Sequence, residues 1–310
     1  MKVTDLNFTV LNTTEARVLE AEYAAMPLGT SMGVRLGPSG VSEVDLAKAF
    51  GRSWRIMFCP TDQPDVIWTC TSSRDVQTDG LSLSYYVSQI NEKHPFSFVR
   101  YGDMLACVAG TLYEGFGFQR FTPELRADIR CSLLEYHKSP RYIMALAQVY
   151  HFRRLGMWGH TARFLFDHNL DTVKWVATET FNHAMYNGHL LPFISALRNT
   201  RTLVVGPARL EALQDRVLPN ARVMEIPAHQ CHAEEADIIR LILAQASELD
   251  VITFSAGPAA VTMIYKLFPL IGEHTTMLSI GSLWGPFIGM PEHGGHMKLT
   301  NEIMQRNLGN

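Results

Sequence analysis

The 310-residue chain lacks the features that would assign it at a glance. It has no CxxC pair. Its five cysteines, Cys59, Cys70, Cys107, Cys131 and Cys231, are odd in number and widely scattered, which argues against a disulfide framework and fits a reducing compartment. No stretch approaches the roughly 20 apolar residues of a membrane span, and Met1-Lys2-Val3-Thr4-Asp5 opens no apolar core of signal-peptide length. A soluble, cytoplasmic protein with no membrane partner is therefore expected. Excess positive charge is missing too: a net charge of -3 excludes a globally basic nucleic-acid binder and leaves room only for local patches. Neither GxGxxG nor a P-loop lysine motif occurs, and there is no internal repeat or low-complexity tract.

What is present is an apolar fraction of 47%, ample for the core of one large domain or two small ones. The most informative stretch is Phe96-Ser97-Phe98-Val99-Arg100-Tyr101-Gly102-Asp103. Phe96, Phe98 and Val99 favour a buried strand, and Gly102 allows a tight turn that leaves Arg100 and Asp103 at its carboxyl end. Ligands of open α/β sheets bind at that end. Spacing alone equally allows a structural Arg–Asp pair that pins a loop.

The first 78 residues read as an irregular extension or cap, punctuated by Gly29, Gly33, Gly37-Pro38, Gly40, Pro60 and Pro64, with one helix signal where Ser42 caps a segment through Phe50. The pattern sharpens from Leu81 to Ile90, which predicts a helix. Thr122-Pro123-Glu124 combines a cap, a proline at the first helical position and an early acid, and predicts a helix to about Tyr136. Further helices are expected at 141–154, 180–197 and 207–217, with a strand near 173–178. The last third alternates. Thr202–Val205 ends at Gly206-Pro207, Val223–Ile226 at Pro227, Val251–Ser255 at Ala256-Gly257-Pro258, and Met277–Ile280 at Gly281-Ser282. Strands joined by helices and closing on Gly, Pro or Ser imply an α/β fold with a Rossmann-like, mostly parallel sheet and helices on both faces. The expected organisation is an extension over 1–78, an α/β domain over 79–290 and a tail over 291–310.

Several segments can carry chemistry. Ser255-Ala256-Gly257-Pro258 lies where a strand gives way to a helix, so small residues there let a phosphate approach free N–H groups; a tight turn with no ligand is the competing reading. Gly206-Pro207 repeats that geometry. His229-Gln230-Cys231-His232 lacks the second tight pair of a structural zinc site, and its histidines can instead serve a ligand or a proton transfer near neutral pH, or simply cap a helix. His293-Gly294-Gly295-His296 reads as tail rather than site. Residues 120–163 hold eight cations (Arg120, Arg126, Arg130, Lys138, Arg141, Arg153, Arg154, Arg163) against three carboxylates, a local +5 that suits a polyanionic acceptor, a diphosphate, or merely a solvated helix face.

Together these segments resemble glycosyltransferases of the GT-D fold, including short variants common in bacteriophage and bacterial genomes. Those proteins open on a strand followed by Arg-Tyr/Phe-Gly-Asp-Gly-Glu, and Phe96 to Asp103 reproduces the first half of that pattern. Val204-Val205-Gly206-Pro207, Ile226-Pro227, Phe254-Ser255-Ala256-Gly257 and Ile280-Gly281-Ser282-Leu283-Trp284-Gly285-Pro286-Phe287 follow the later landmarks in order, over roughly residues 80–290.

The resemblance implies transfer of a sugar from a nucleotide sugar, a UDP-sugar first, to an acceptor hydroxyl. A hydroxylated or hydroxymethylated pyrimidine in DNA is the first acceptor expected, with a surface or protein glycan next; if the chain is phage-encoded, the host cytoplasm is its place. A non-catalytic nucleotide or nucleic-acid binding module on the same fold is the alternative. The implied site comprises Asp103 and His232 as catalytic groups, with Arg100, Tyr101, Gly102, Gly206, Pro207, His229, Ser255, Gly257, Pro258, Ser282 and Trp284 around the substrate. Asp103 is also the implied ligand for Mn²⁺ or Mg²⁺. Two acids of the pattern are absent, because Leu105 and Gly285 stand in their places. Hard cations need several oxygen ligands, so metal-independent transfer, altered donor use and lost activity all remain open.

Overall fold

The computed structural model describes residues 9–10, 43–45, 54–57, 70–72, 82–102, 104–108, 115–116, 118–146, 164–165, 168–170, 173, 175–290 and 299–309. In chain order the elements are β1 (Thr9–Val10), β2 (Glu43–Asp45), β3 (Trp54–Met57), β4 (Cys70–Ser72), α1 (Leu83–Asn91), β5 (Ser97–Tyr101), α2 (Met104–Val108), β6 (Gly115–Phe116), β7 (Gln119–Arg120), α3 (Pro123–Glu135), β8 (Tyr142–Leu146) and β9 (Val176–Ala177). They continue with α4 (Thr180–Tyr186), α5 (Leu191–Arg198), β10 (Thr202–Gly206), α6 (Leu213–Arg216), β11 (Arg222–Glu225), α7 (Glu235–Leu243), β12 (Val251–Phe254), α8 (Ala259–Ile271), β13 (Thr276–Ser279) and α9 (Asn301–Leu308). The chain divides into two compact units, one of Met1–Asp79, Gly102–Tyr113 and Leu146–Val176, the other of Gly80–Tyr101, Glu114–Ala145 and Ala177–Asn310.

In the first unit β1 to β4 form a four-stranded sheet in sequence order, with β1 and β2 parallel and the other pairs antiparallel. The helix expected after Ser42 is corrected at its start, since Glu43–Asp45 pairs with neighbours on both sides as β2. Strand pairing on two edges outweighs the weak helical preference of a capped segment.

The second unit is built on a seven-stranded, all-parallel sheet of order β11-β10-β12-β13-β5-β8-β9. Every residue of β10, β12 and β13 is buried, as expected of strands covered on both faces. Alternation along β5 divides the two helical layers. Phe98 meets Tyr86 of α1 and Phe181 of α4, with ring centroids 5.3 and 5.2 Å apart. Tyr101 points the other way, where its hydroxyl pairs with Ser132 of α3 at 2.9 Å. Helix α3 starts where expected: Thr122 Oγ1 accepts the Leu125 N–H, and Pro123 occupies the first turn.

Two expected helices are corrected. The segment expected to be a helix from 141 begins instead with β8, whose five residues Tyr142-Ile143-Met144-Ala145-Leu146 are all buried. An apolar run covered on both faces has no period-2 alternation, so it reads like a helical face. The Ser97 N–H donates to the Arg141 carbonyl at 2.7 Å, fixing it beside β5. The helix expected over 180–197 is two, α4 and α5, interrupted at Asn187-Gly188. Within the tail, α9 docks through Asn307, which accepts the Leu190 N–H and donates to the Met185 carbonyl. No helix among the described residues is long and apolar enough to cross a membrane.

Candidate functional site

Because the strands are parallel, the turns after β10, β12, β13 and β5 stand side by side along one edge of the sheet, in that order. These are Gly206-Pro207, Ser255-Ala256-Gly257-Pro258, Gly281-Ser282, and the end of β5 with Arg100.

Arg100 is the best-held charge on that edge. Its Nη2 donates to Glu179 Oε1 at 2.8 Å, and the side chains are only 20% and 11% exposed. Glu179, immediately before α4, is held in turn: Thr178 Oγ1 donates to its Oε1 and Asn182 Nδ2 to its Oε2, each at 2.9 Å. A carboxylate held by this many donors fixes the guanidinium plane. The other arm of the fork lies over the β13 turn, because a Cβ on Gly281 would stand 2.8 Å from Arg100 Nη1. Gly281 has φ +57, the left-handed region that favours glycine. Glycine is thus required there twice, for its backbone and for the arginine above it.

The β12 turn has the same backbone, with Gly257 at φ +57. Pro258 leads into α8 and is buried. The Ser255 Oγ is buried and has no hydrogen-bond partner. Ser255 also lies against the neighbouring turn, since a Cβ on Gly206 would come 3.2 Å from Ser255 Cβ and collide with Leu210 Cδ1. Phe118, between β6 and β7, closes over Gly257: a Cβ there would be 2.6 Å from its Cε2.

Other residues of the sequence-derived site are placed differently. Tyr101 is in the core, its hydroxyl shared with Ser132 and, at 3.4 Å, Tyr142. Burial raises its pKa well above the usual tyrosine range, so it stays a neutral phenol. Trp284 has no exposed surface and closes a chain of rings running Tyr86, Phe98, Phe181, Phe193; its indole is parallel to Phe193 at 6.3 Å. It is packed as a core aromatic, and its Nε1–H is buried without a partner. Ser282 is exposed, and its carbonyl accepts the Gly285 N–H. His229 is exposed on the loop after β11.

In the first unit, Gly102 precedes α2 and its carbonyl accepts the Leu105 N–H. Asp103 lies outside the described residues, as do His293 and His296. Leu105, where the resemblance calls for a second acid, has no exposed surface. A buried leucine supplies no oxygen to a hard cation, so the described part of this motif does not fit a divalent metal.

His232 belongs to a separate charge cluster. Its Nε2 lies 3.4 Å from Asp128 Oδ2 of α3 and 3.5 Å from Glu235 Oε2 of α7. These three are the one group among the described residues with metal-ligand spacing. The cation position is taken by Lys266 of α8, whose Nζ donates to Asp128 at 2.6 Å and to Glu235 at 2.5 Å. Thr262 also donates to Glu235. Burial pulls the Lys266 pKa down, but the two carboxylates outweigh it and leave it raised. Beside them Cys231 is buried, and desolvation, helped by Glu235 and Glu234, pushes its thiol up to about 12.

Of the cations in the basic segment, Arg141 is paired with Glu273 at 3.2 Å and Arg126 donates to the Phe121 carbonyl, while Arg153, Arg154 and Arg163 lie outside the described residues. Sequence reasoning missed Glu179, 79 residues from its arginine, and Phe118, whose exposed ring follows no apolar period.

No protein-family profile matches the sequence, and no curated protein is significantly similar to it. Solved structures are similar in fold. A structure described as a new glycosyltransferase (DUF1792) from Streptococcus sanguinis superposes with TM-score 0.54 and 18% identity, over 75% of this chain and 94% of that one. A selenomethionine-substituted structure of the same domain of unknown function 1792 gives TM-score 0.51 at 16% identity, over 75% and 89%. A third, described as having a distinct glycosyltransferase fold, gives 0.51 at 15%, again over 75% and 89%. The chain therefore has the α/β fold of these glycosyltransferase-fold proteins.

Proposed function

We propose that the protein is a nucleotide-sugar-dependent glycosyltransferase that moves a sugar to an acceptor hydroxyl. The observation that carries this reading is Arg100, fixed by Glu179 across the Gly281 turn at the ligand-binding edge of a sheet whose fold is similar to that of glycosyltransferases. The reaction breaks the bond between the anomeric carbon and the diphosphate, so negative charge grows on the leaving phosphate. A guanidinium already oriented by a buried carboxylate meets that charge without reorganising. N–H groups at the Gly257 turn, ahead of α8, favour the same anion.

Asp103, three residues beyond Arg100, is the proposed orienting group or base for the acceptor hydroxyl. The donor is a UDP-sugar first. The acceptor proposed first is a hydroxylated or hydroxymethylated pyrimidine in DNA, supported by the resemblance to phage-type variants and by the cation-rich stretch from Arg120 onward.

The test is incubation of the full chain with a panel of UDP-, GDP- and ADP-sugars and hydroxymethylated DNA, with and without Mn²⁺, read by mass spectrometry of the nucleosides. A mass gain equal to one sugar residue supports both donor class and acceptor. Sugar release or transfer elsewhere keeps the enzyme and removes the DNA acceptor. Nucleotide or DNA binding with neither transfer nor hydrolysis favours a non-catalytic binding module.

A further inference from the structure

Phe118 is an exposed aromatic on a carefully fastened mount. Phe118 is 37% exposed, on the short hairpin of β6 and β7. Behind it stands Gln230, a non-glycine residue at φ +53, a conformation that persists only where the surroundings hold it. What holds it is the hairpin. The Gln230 N–H donates to the Phe118 carbonyl at 2.8 Å, and its Oε1 accepts from the Arg120 N–H at 3.1 Å and from Gln119 Nε2 at 3.4 Å. Gln119, itself buried, accepts the His232 N–H on its Oε1 at 3.4 Å. The strained residue therefore fixes the backbone that carries Phe118, from its own carbonyl to the Arg120 N–H.

That ring meets the β12 turn by its rim. From the Cβ position of Gly257, Phe118 Cε2 is at 2.6 Å while its ring neighbours Cζ and Cδ2 are at 3.4 and 3.5 Å. One atom stands well ahead of the two bonded to it, so the ring approaches edge-on and its plane rises from the turn. Beside it lie the start of the 13-residue helix α8 and, on the adjacent strand, Gly206, whose Cβ position is 3.2 Å from Ser255 Cβ. An upright apolar plane beside an anion-favouring turn matches a ligand with a flat aromatic part and a phosphate part.

We infer that Phe118 stacks on the nucleobase of a nucleoside diphosphate whose phosphates lie against the Ser255–Gly257 turn. The inference deepens the glycosyltransferase reading and rests on it. Because every base has a π face, Phe118 sets donor affinity rather than the choice of base.

The test is calorimetric titration of the full chain with UDP, and with inorganic pyrophosphate in competition with UDP, for the wild type, Phe118→Ala, Phe118→Leu and Phe118→Trp. Alanine is expected to weaken UDP on the order of tenfold while leaving pyrophosphate unchanged, leucine to fall with alanine, and tryptophan to restore binding. Unchanged UDP affinity in the alanine and leucine variants overturns the stacking role and leaves the transferase reading intact. Equal loss of UDP and pyrophosphate also overturns it, because the hairpin would then matter only for shape. A wild type that binds neither UDP nor GDP and transfers no sugar removes both.

Discussion

Glu179 Oε1 accepts from Arg100 Nη2 at 2.8 Å across 79 residues of sequence, and this one contact fixes the guanidinium at the carboxyl edge of the sheet. The carboxylate is satisfied by Thr178 and Asn182 and keeps the guanidinium over Gly281. Removing the charge but not the shape separates orientation from stability. Glu179→Gln is expected to lower kcat/KM for the nucleotide sugar by on the order of tenfold or more, because Arg100 loses its fixed plane. Glu179→Ala is expected to cost about 2 kcal/mol of stability as well, below the range for a fully buried pair because both side chains keep some solvent. Urea unfolding alongside steady-state kinetics checks both.

Gly281→Ala is expected to act through the same pair. The new methyl meets Arg100 Nη1 and takes up a left-handed φ, costing about 1 kcal/mol and displacing the guanidinium. A matched fall in UDP affinity and melting temperature is the expected result; Gly289, also at positive φ but with nothing within 4 Å of its Cβ position, should lose stability without losing affinity when changed to alanine.

The Lys266 cluster joins α3, α7 and α8 on one face of the sheet. Lys266→Met is expected to destabilise the protein by about 2 kcal/mol, since it leaves Asp128 and Glu235 without their cation; the figure is discounted for an ammonium 37% exposed. The sign of the pH dependence follows from the raised pKa. The Lys266 contribution is complete below the unfolded value of about 10.4 and is lost as pH rises through the higher folded value. Chemical unfolding between pH 8 and 11 should show a loss in the wild type that is absent in Lys266→Met.

Cys231 should be inert in the native state. Its thiol, buried and pushed up to about 12, holds almost no thiolate at pH 8, whereas Cys131 is exposed. Alkylation followed by peptide mass mapping is expected to label Cys131 at once and Cys231 only after denaturation.

Much of this fold was legible. Strands that end on Gly206-Pro207, Pro227, Gly257-Pro258 and Gly281-Ser282 carry their own punctuation, and Thr122-Pro123-Glu124 marks the start of α3. Strand β8 was not, because burial on both faces erased the alternation that marks a strand. Arg100 could be read as a strand-end cation, yet nothing local to it points to Glu179, since pairing over 79 residues is a property of the packed sheet. The resemblance implies site roles for Tyr101 and Trp284. The side chains are decided by alternation and by the ring chain through Phe193, which send both into the core.

The most direct single measurement is calorimetric titration of UDP into the wild type and into Arg100→Met. Tight binding by the wild type, weakened on the order of 100-fold by the loss of charge-assisted hydrogen bonds to the diphosphate, is expected if the edge around Arg100 is the donor site. Equal UDP affinity in the two proteins, with both folded, would contradict it.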